Sequence, residues 1–119
     1  MLRFGHVELF VPDPLGAATF YQEVLGFTIT TVLRNEIVWM KCGDVELLLR
    51  PGTPMTGAAS DYQHAAAGYV LYTDDLDKTA ATLREHGLAF HGTDGSPRCL
   101  TFADPAGNWF QLVNPAEQR

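Results

Sequence analysis

The chain has 119 residues, which is enough for one domain with its own hydrophobic core. Eight Lys and Arg against 14 Asp and Glu give a net charge of −6, which argues against nucleic acid or an anionic membrane surface as a partner. No apolar run approaches the ~20 residues that a membrane span requires, and the N-terminus lacks the order of a signal peptide, so we expect a cytoplasmic protein. Cys42 and Cys99 are isolated and are expected to be reduced thiols.

The first half of the chain predicts a strand, a helix and three further strands. Residues 4–11 alternate between apolar and polar side chains, as a half-buried strand does. Asp13 is suited to cap a helix that has Pro14 at its first position, and Gly26 is suited to end it. Strands are then predicted over residues 27–33, 36–41 and 45–50, with Gly43-Asp44 as a hairpin turn between the last two.

The second half repeats this order after a stretch rich in Pro, Gly and Ala over residues 51–68, which predicts a linker or surface loop. A strand is predicted over 68–73, a helix over 74–87 capped by Asp74 or Asp75 and ended by Gly87, and strands over 89–92, 98–103 and 108–114. The two ending glycines, Gly26 and Gly87, are 61 positions apart. A period of about 60 indicates a duplicated β-α-β-β-β module.

Three stretches carry a resemblance to a known family: "VPDPLGAATFYQEVLGF", "DDLDKTAATLREHG" and "DPAGNWFQLVNP". In this order and spacing they resemble the vicinal oxygen chelate superfamily, which includes glyoxalase I, extradiol dioxygenases, methylmalonyl-CoA epimerase, and fosfomycin- and bleomycin-resistance proteins. The resemblance implies an α+β fold of two tandem βαβββ modules forming a cup-shaped mixed sheet, usually in a homodimer. It implies one domain over 1–119, with module one at 1–52, a linker at 53–67 and module two at 68–115.

The resemblance also implies where a metal would bind. Enzymes of the family hold one divalent metal with a His or Glu from the first strand, and a Glu or His from the last strand, of each module. Those positions fall on His6, on Leu47 or Leu48 depending on a one-residue gap, on Gly68 and on Gln111. Leucine and glycine offer no ligand atom, and glutamine is a weaker, neutral ligand. We therefore expect no metal cofactor, and a metal that did bind would use His6 and Gln111.

Two nearby residues could replace the missing ligands only with a change of local structure. Glu46 would need a strand register shifted by one or two residues. His64 would need the loop before the second module to fold back over the sheet, since four residues of strand span ~13 Å. We expect Glu46 to face solvent or the rim of the site, and the turn "DPAGN" to serve turn geometry rather than the site.

A small-molecule site remains without the metal. Alternation places His6 and Glu8 on the face opposite the apolar side chains of their strand, and aromatic residues with a few polar groups suit an amphipathic organic ligand. The residues expected to contact ligand are His6, Glu8, Trp39, Leu48, Tyr72, Arg98, Phe102, Trp109 and Gln111.

The favoured function is therefore that of a binding protein rather than an enzyme. It would be a homodimer that takes a small aromatic or amphipathic molecule into the cup without a catalytic metal, as in the bleomycin-resistance branch. The acidic net charge suits a cationic ligand. The alternative is a metal-dependent lyase, isomerase or dioxygenase, in which Glu8, Glu46 or a partner-chain residue completes the shell of His6 and Gln111. A third hypothesis is metal-free catalysis with His6 or Glu8 as general base.

Overall fold

The computed structural model describes residues 1–53 and 59–118. The chain divides into two compact units, Met1–Pro54 and Met55–Arg119. Each unit holds one mixed sheet, of four strands in the first (sheet A) and three strands in the second (sheet B). None of the helices in the described part of the chain has the length and apolar character needed to cross a membrane. The domain and linker boundaries drawn from the sequence stay predictions.

Unit one has the order strand, helix, three strands. Its elements are β1 (Val7–Val11), α1 (Pro14–Thr19), a π-helical turn (Phe20–Val24), β2 (Thr28–Leu33), β3 (Ile37–Cys42) and β4 (Val45–Pro51). Sheet A has the order β1-β4-β3-β2, in which β1 is parallel to β4 and the other neighbours are antiparallel. The two-residue turn at Gly43-Asp44 joins β3 to β4 as predicted, because Cys42 pairs with Val45.

The ends of the first helix are set by the residues that the sequence indicated. The Asp13 side chain accepts a hydrogen bond from the Gly16 amide at 3.2 Å, and Pro14 occupies the first turn. The helical segment ends before Gly26, whose φ of 79° lies in the left-handed region that glycine tolerates best. This helix packs on β3 and β4.

The core of unit one lies on a single face of sheet A. The side chains buried there are Leu9, Val11, Val38, Met40, Leu47 and Leu49, together with Ala17, Ala18 and Tyr21 of the helical segment. The predicted alternation in β1 is confirmed by the burial of Leu9 and Val11, while Phe10 between them is 53% exposed. The opposite face of the sheet is therefore the one that carries polar and aromatic side chains.

Unit two repeats this connectivity with a shorter sheet. Its elements are a 3₁₀ turn (Tyr62–His64), β5 (Gly68–Tyr72), α2 (Leu76–Glu85), β6 (Leu100–Ala103), β7 (Trp109–Val113) and a final 3₁₀ turn (Pro115–Gln118). Sheet B has the order β5-β7-β6, with β5 parallel to β7 and β6 antiparallel to it. The predicted α+β class is confirmed, and the order of elements is compatible with two tandem βαβββ modules.

The strand predicted over residues 89–92 is wrong. The chain there runs beside β6, with hydrogen bonds from the His91 amide to the Thr101 carbonyl at 2.7 Å and from the Thr101 amide to the Gly92 carbonyl at 3.2 Å. Its only ladder contact among the described residues is an isolated bridge between Thr93 and Leu100. Gly92 has a φ of 80°, which breaks the extended backbone that a regular strand requires.

Candidate functional site

One face of sheet A brings four of the predicted ligand contacts together. In the strand register Leu48 lies beside Glu8 on one side and beside Trp39 on the other, so these three side chains point the same way, as does His6 two residues before Glu8. We call this group the His6 face. Leu47 points to the core, where it is 5% exposed. Of the two leucines between which the sequence left the choice open, Leu48 shares the face of His6 and Leu47 does not.

A chain of charged and polar contacts crosses the His6 face. The Nε2 atom of His6 lies 2.8 Å from one carboxylate oxygen of Glu8, and Arg50 donates to the other oxygen at 3.0 Å. Hydrogen bonds from Arg50 and then from His6 hold the pKa of the Glu8 carboxyl below its usual value. Because the ionised carboxylate can only accept, Nε2 of His6 is the donor, and in the neutral ring Nδ1 keeps a free lone pair.

Aromatic rings flank this polar chain. The His6 ring lies against Trp39 with 4.7 Å between centroids and a 59° interplanar angle, and the guanidinium of Arg50 lies 5.1 Å above the centre of the Phe10 ring. Trp39 is partly exposed, while Leu48 is buried, with 6% of its surface exposed. The His6 face thus offers a ring surface, an ion pair and an apolar floor, which are the elements of a small-molecule contact surface.

In unit two, three more predicted contacts share one face of sheet B. The register pairs Gly68 with Trp109, Val70 with Gln111 and Tyr72 with Val113, so these residues lie on the face opposite Phe110 and Leu112. Trp109 and Val113 are buried on this face, while Val70 and Tyr72 are exposed. We call Tyr72, Trp109 and Gln111 the Gln111 face. By position in the parallel pair, Val70 and Gln111 of unit two correspond to Glu8 and Leu48 of unit one.

Gln111 has a defined partner within its own unit. Its Nε2 donates to one carboxylate oxygen of Asp94 at 2.9 Å, and the Nε2 of Gln63 donates to the other at 3.2 Å and to the Thr93 carbonyl at 2.9 Å. The side-chain amide of Gln111, in the otherwise apolar strand β7, therefore has its acceptor in a carboxylate from the loop before β6. The carbonyl Oε1 of Gln111 is the atom that this arrangement leaves for other contacts.

The segment before β5 folds over the Gln111 face. The indole N–H of Trp109 donates to the carbonyl of Ala59 at 2.9 Å. The phenol ring of Tyr62 lies over Gly68, where a β-carbon would approach its Cζ to 2.7 Å. His64 does not reach the sheet: its Nδ1 lies 2.6 Å from Asp61 and its side chain is 77% exposed. The space of the missing side chain at Gly68 is thus filled by tyrosine, not by a metal ligand.

Tyr62, Gln63 and Asp94 were not identified as site residues from the sequence. Tyr62 and Gln63 lie in a stretch whose composition is typical of a linker, and Asp94 lies in an irregular loop, so no periodicity marked them. One signal was present. Gly68 begins an otherwise apolar strand, and a glycine in a strand is one of the marks of a close approach by another group.

Two predicted ligand contacts lie away from these faces. Phe102 is 0% exposed and stacks on Phe110, on the core side of sheet B. Arg98 lies in the loop before β6 and bridges two acids, donating to Glu117 at 2.8 Å and to Asp77 at 2.7 Å. These hydrogen bonds, first to Glu117 and then to Asp77, raise the pKa of Arg98. The positions of Phe102 and Arg98 favour structural roles.

The residues at the four metal positions do not fit a divalent ion. His6 directs Nε2 to Glu8, and Leu48 is hydrocarbon. The side-chain position at Gly68 is occupied by the Tyr62 phenol, and Gln111 is bound to Asp94. Protein zinc sites that catalyse reactions present three ligands with an open position. Over residues 1–53 and 59–118 no three His, Cys, Asp or Glu side chains are grouped to hold a metal.

Comparison with models of protein families identifies the family of this chain. The model of the Glyoxalase/Bleomycin resistance protein/Dioxygenase superfamily matches residues 3–112. The chain belongs to this superfamily. The predicted resemblance is thereby confirmed over nearly the whole sequence. None of the curated proteins compared with the sequence matches it.

Solved structures of the glyoxalase/bleomycin resistance superfamily share the fold. The antibiotic-binding protein TnmS3 from Streptomyces sp. CB03234 is 27% identical, with a TM-score of 0.65 over 96% of this chain and 98% of that one. The bleomycin-binding protein of Streptomyces verticillus, solved with copper(II)-bleomycin, is 18% identical, with a TM-score of 0.68 over the same shares. The fosfomycin resistance protein FosX of Listeria monocytogenes, solved with Mn(II) and sulfate, is 11% identical, with a TM-score of 0.75 over 96% and 90%.

Replacing Gly68 with alanine tests the cover provided by Tyr62. The new β-carbon meets the end of the Tyr62 side chain, which must shift, so we expect Gly68→Ala to cost up to about 1 kcal/mol of unfolding free energy. In a Tyr62→Ala background the same change should be neutral or stabilising by up to about 1 kcal/mol, because alanine suits a strand better than glycine. Urea denaturation of the four proteins measures both values. The same stabilisation in both backgrounds would contradict the contact.

Proposed function

We propose that this protein binds small aromatic or amphipathic molecules without a catalytic metal. The contact surface of unit one is the His6 face, and that of unit two is the Gln111 face. The observation that carries the proposal is the state of the metal positions, two of which hold a buried leucine and a glycine under a tyrosine ring. The rings and polar groups beside them, Trp39 with His6 above all, remain as contact groups for a ligand.

The comparisons support the binding role as one that this fold accommodates. One of the similar structures is an antibiotic-binding protein and another is a bleomycin-binding protein, and each matches over 96% of this chain. A third, FosX, was solved with Mn(II), so the same fold also holds metals. What separates the two roles in this chain is the set of side chains at the metal positions. The homodimer and the cytoplasmic location stay predictions.

The His6 face has the chemistry for orienting a ligand. Glu8 is held ionised by Arg50 and His6, and it fixes the ring of His6 against Trp39. A planar molecule that stacks on the exposed part of Trp39 would meet Nδ1 of His6 as an acceptor at its edge. Glu8, His6 and Trp39 therefore act together as one contact surface in this proposal.

Metal content is the decisive measurement. Protein purified without a histidine tag, incubated with Zn²⁺, Ni²⁺, Fe²⁺ or Mn²⁺ and desalted, should retain far less than one metal per chain, because one imidazole and one amide form a weak site. Elemental analysis by mass spectrometry gives the ratio. His6→Ala and, as a matched control, His64→Ala should not change it. One metal per chain that is lost in His6→Ala but kept in His64→Ala would overturn the proposal and support the metal-dependent alternative.

A further inference from the structure

We infer that the Gln111 face, with Gln63 and Asp94, recognises the cationic, hydrogen-donating end of the ligand, such as an amidinium or ammonium group. This inference rests on the proposed function and adds a ligand class to it. Neither Gln63 nor Asp94 belongs to the residues that the sequence singled out. What places them together is the irregular chain at 91–94, whose isolated bridge at Thr93 leaves Asp94 beside β7.

The orientation of two side-chain amides determines whether the site offers hydrogen-bond donors or acceptors to a ligand. A carboxylate can only accept hydrogen bonds, so the atoms of Gln63 and Gln111 that contact Asp94 must be their N–H groups. The Nε2 of Gln63 also donates to the Thr93 carbonyl, which fixes the same orientation independently. Both amides therefore keep their carbonyl oxygens for other partners, and each Asp94 oxygen retains accepting capacity.

The polar end of the site is therefore made of acceptors. Its available atoms are the Oε1 atoms of Gln63 and Gln111 and the remaining lone pairs of Asp94, and it carries one formal negative charge. Such a cluster favours a group with several N–H donors and a positive charge, and disfavours a carboxylate or phosphate. The net charge of −6 attracts the same class of ligand from a distance.

Apolar side chains adjoin this polar end. Val70 pairs with Gln111 in the sheet and is 47% exposed, and Tyr72 on the same face is 70% exposed. Tyr62 adds a partly exposed ring over Gly68. A ring that lies on Val70 and Tyr72 can therefore direct a cationic substituent to Gln111 and Asp94. The ligand class that fits is an aromatic or amphipathic cation.

The two tryptophans of the chain allow each face to be followed separately. Trp39 lies on the His6 face and Trp109 on the Gln111 face, and the sequence contains no other tryptophan. In a Trp39→Phe protein, fluorescence reports the surroundings of Trp109 alone, and a Trp109→Phe protein reports Trp39. The probes are benzamidine, benzamide and benzoate, which share a phenyl ring and differ in charge and donors.

In the Trp39→Phe protein, benzamidine should change the Trp109 emission saturably and bind at least about tenfold more tightly than benzamide or benzoate. Asp94→Asn should reduce the benzamidine affinity by about tenfold and leave benzamide unchanged. Asp44→Asn, which removes the same charge from the β3–β4 turn, should leave all three affinities unchanged. Circular dichroism establishes that each variant is folded. The preference among the three probes is measured with Asp94 in place, so it tests the inference even if Asp94→Asn does not fold.

Equal affinity for the three probes, or an Asp94→Asn protein that binds benzamidine as before, would overturn the inference and leave the proposed function standing. The same holds if benzamidine gives no saturable change at Trp109 while a probe binds at Trp39. If no probe binds at either tryptophan, both the inference and the proposed function fail.

Discussion

Phe102→Ala is expected to lower the free energy of unfolding by about 3–5 kcal/mol, because it removes a large side chain from the core. Phe102 is 0% exposed. Its ring stacks on Phe110 with 5.2 Å between centroids and a 6° interplanar angle, and meets Phe90 edge-on at 5.9 Å. Urea denaturation followed by circular dichroism measures the loss. Because the total free energy of unfolding of a domain is typically about 5–15 kcal/mol, this loss should remove a large fraction of the stability.

Two control variants separate this core role from the ligand contact that the sequence predicted for Phe102. Phe10→Ala removes the same side chain from an exposed position and should cost less than about 1 kcal/mol. Phe102→Leu keeps most of the volume, should cost about 1–2 kcal/mol, and should leave probe binding at Trp109 unchanged. A Phe102→Leu protein with native stability and weakened probe binding would instead support the ligand contact.

The framework of this fold could be predicted because local rules set it. Glycines that adopt a left-handed conformation end both helical segments, at Gly26 and Gly87, with φ of 79° and 98°. Asp13 and Asp75 cap the helices through the amides three residues later. Each of these signals acts within a few residues, so it can be recognised from the sequence without knowledge of distant contacts.

The faces of the strands could be predicted for the same reason, with one exception. A period of two places Glu8 and Phe10 opposite Leu9 and Val11. In β6, however, the choice of face required knowing which side of the sheet is covered. Phe102 was expected at the ligand, while the register pairs it with Phe110 on the core side. Alternation gives the two sets of residues in a short strand but does not say which of them is buried.

The polar partners of Gln111 lay beyond sequence reasoning. Asp94 is 17 residues away and Gln63 is 48 residues away along the chain. Their contacts depend on how two irregular segments fold back on sheet B, which no periodicity describes. Arg98 shows the same limit, because its pairing with Glu117 and Asp77 is set by the loop before β6. The sequence therefore predicts the face of the sheet on which Gln111 lies, but it does not predict the charge of the groups that contact Gln111.

The two sheets show how one connectivity supports different chemistry. Both units pair their first and last strands in parallel with the same register relation, yet Glu8 beside Leu48 in one unit becomes Val70 beside Gln111 in the other. In unit one the acid lies on the first strand and is balanced by Arg50. In unit two the acid is Asp94, from a loop, and it is held by neutral amides. Only the second arrangement leaves a negative charge without a cation beside it among these contacts, which is why the cationic end of a ligand is assigned there.

Asp104→Ala is expected to lower the free energy of unfolding by about 2–4 kcal/mol, because several donors lose their acceptor. Asp104 is 4% exposed, and its carboxylate accepts from the amides of Ala106 and Asn108 at 2.9 and 2.8 Å and from the Asn108 side chain at 2.9 Å. The turn that it closes leads directly into Trp109 and Gln111, so its loss should also alter Trp109 emission in the Trp39→Phe protein. Asp44→Ala, at the exposed hairpin turn of unit one, is the matched control and should cost less than about 0.5 kcal/mol. Equal losses in urea denaturation for the two variants would show that the Asp104 contacts do not hold the turn that positions Gln111.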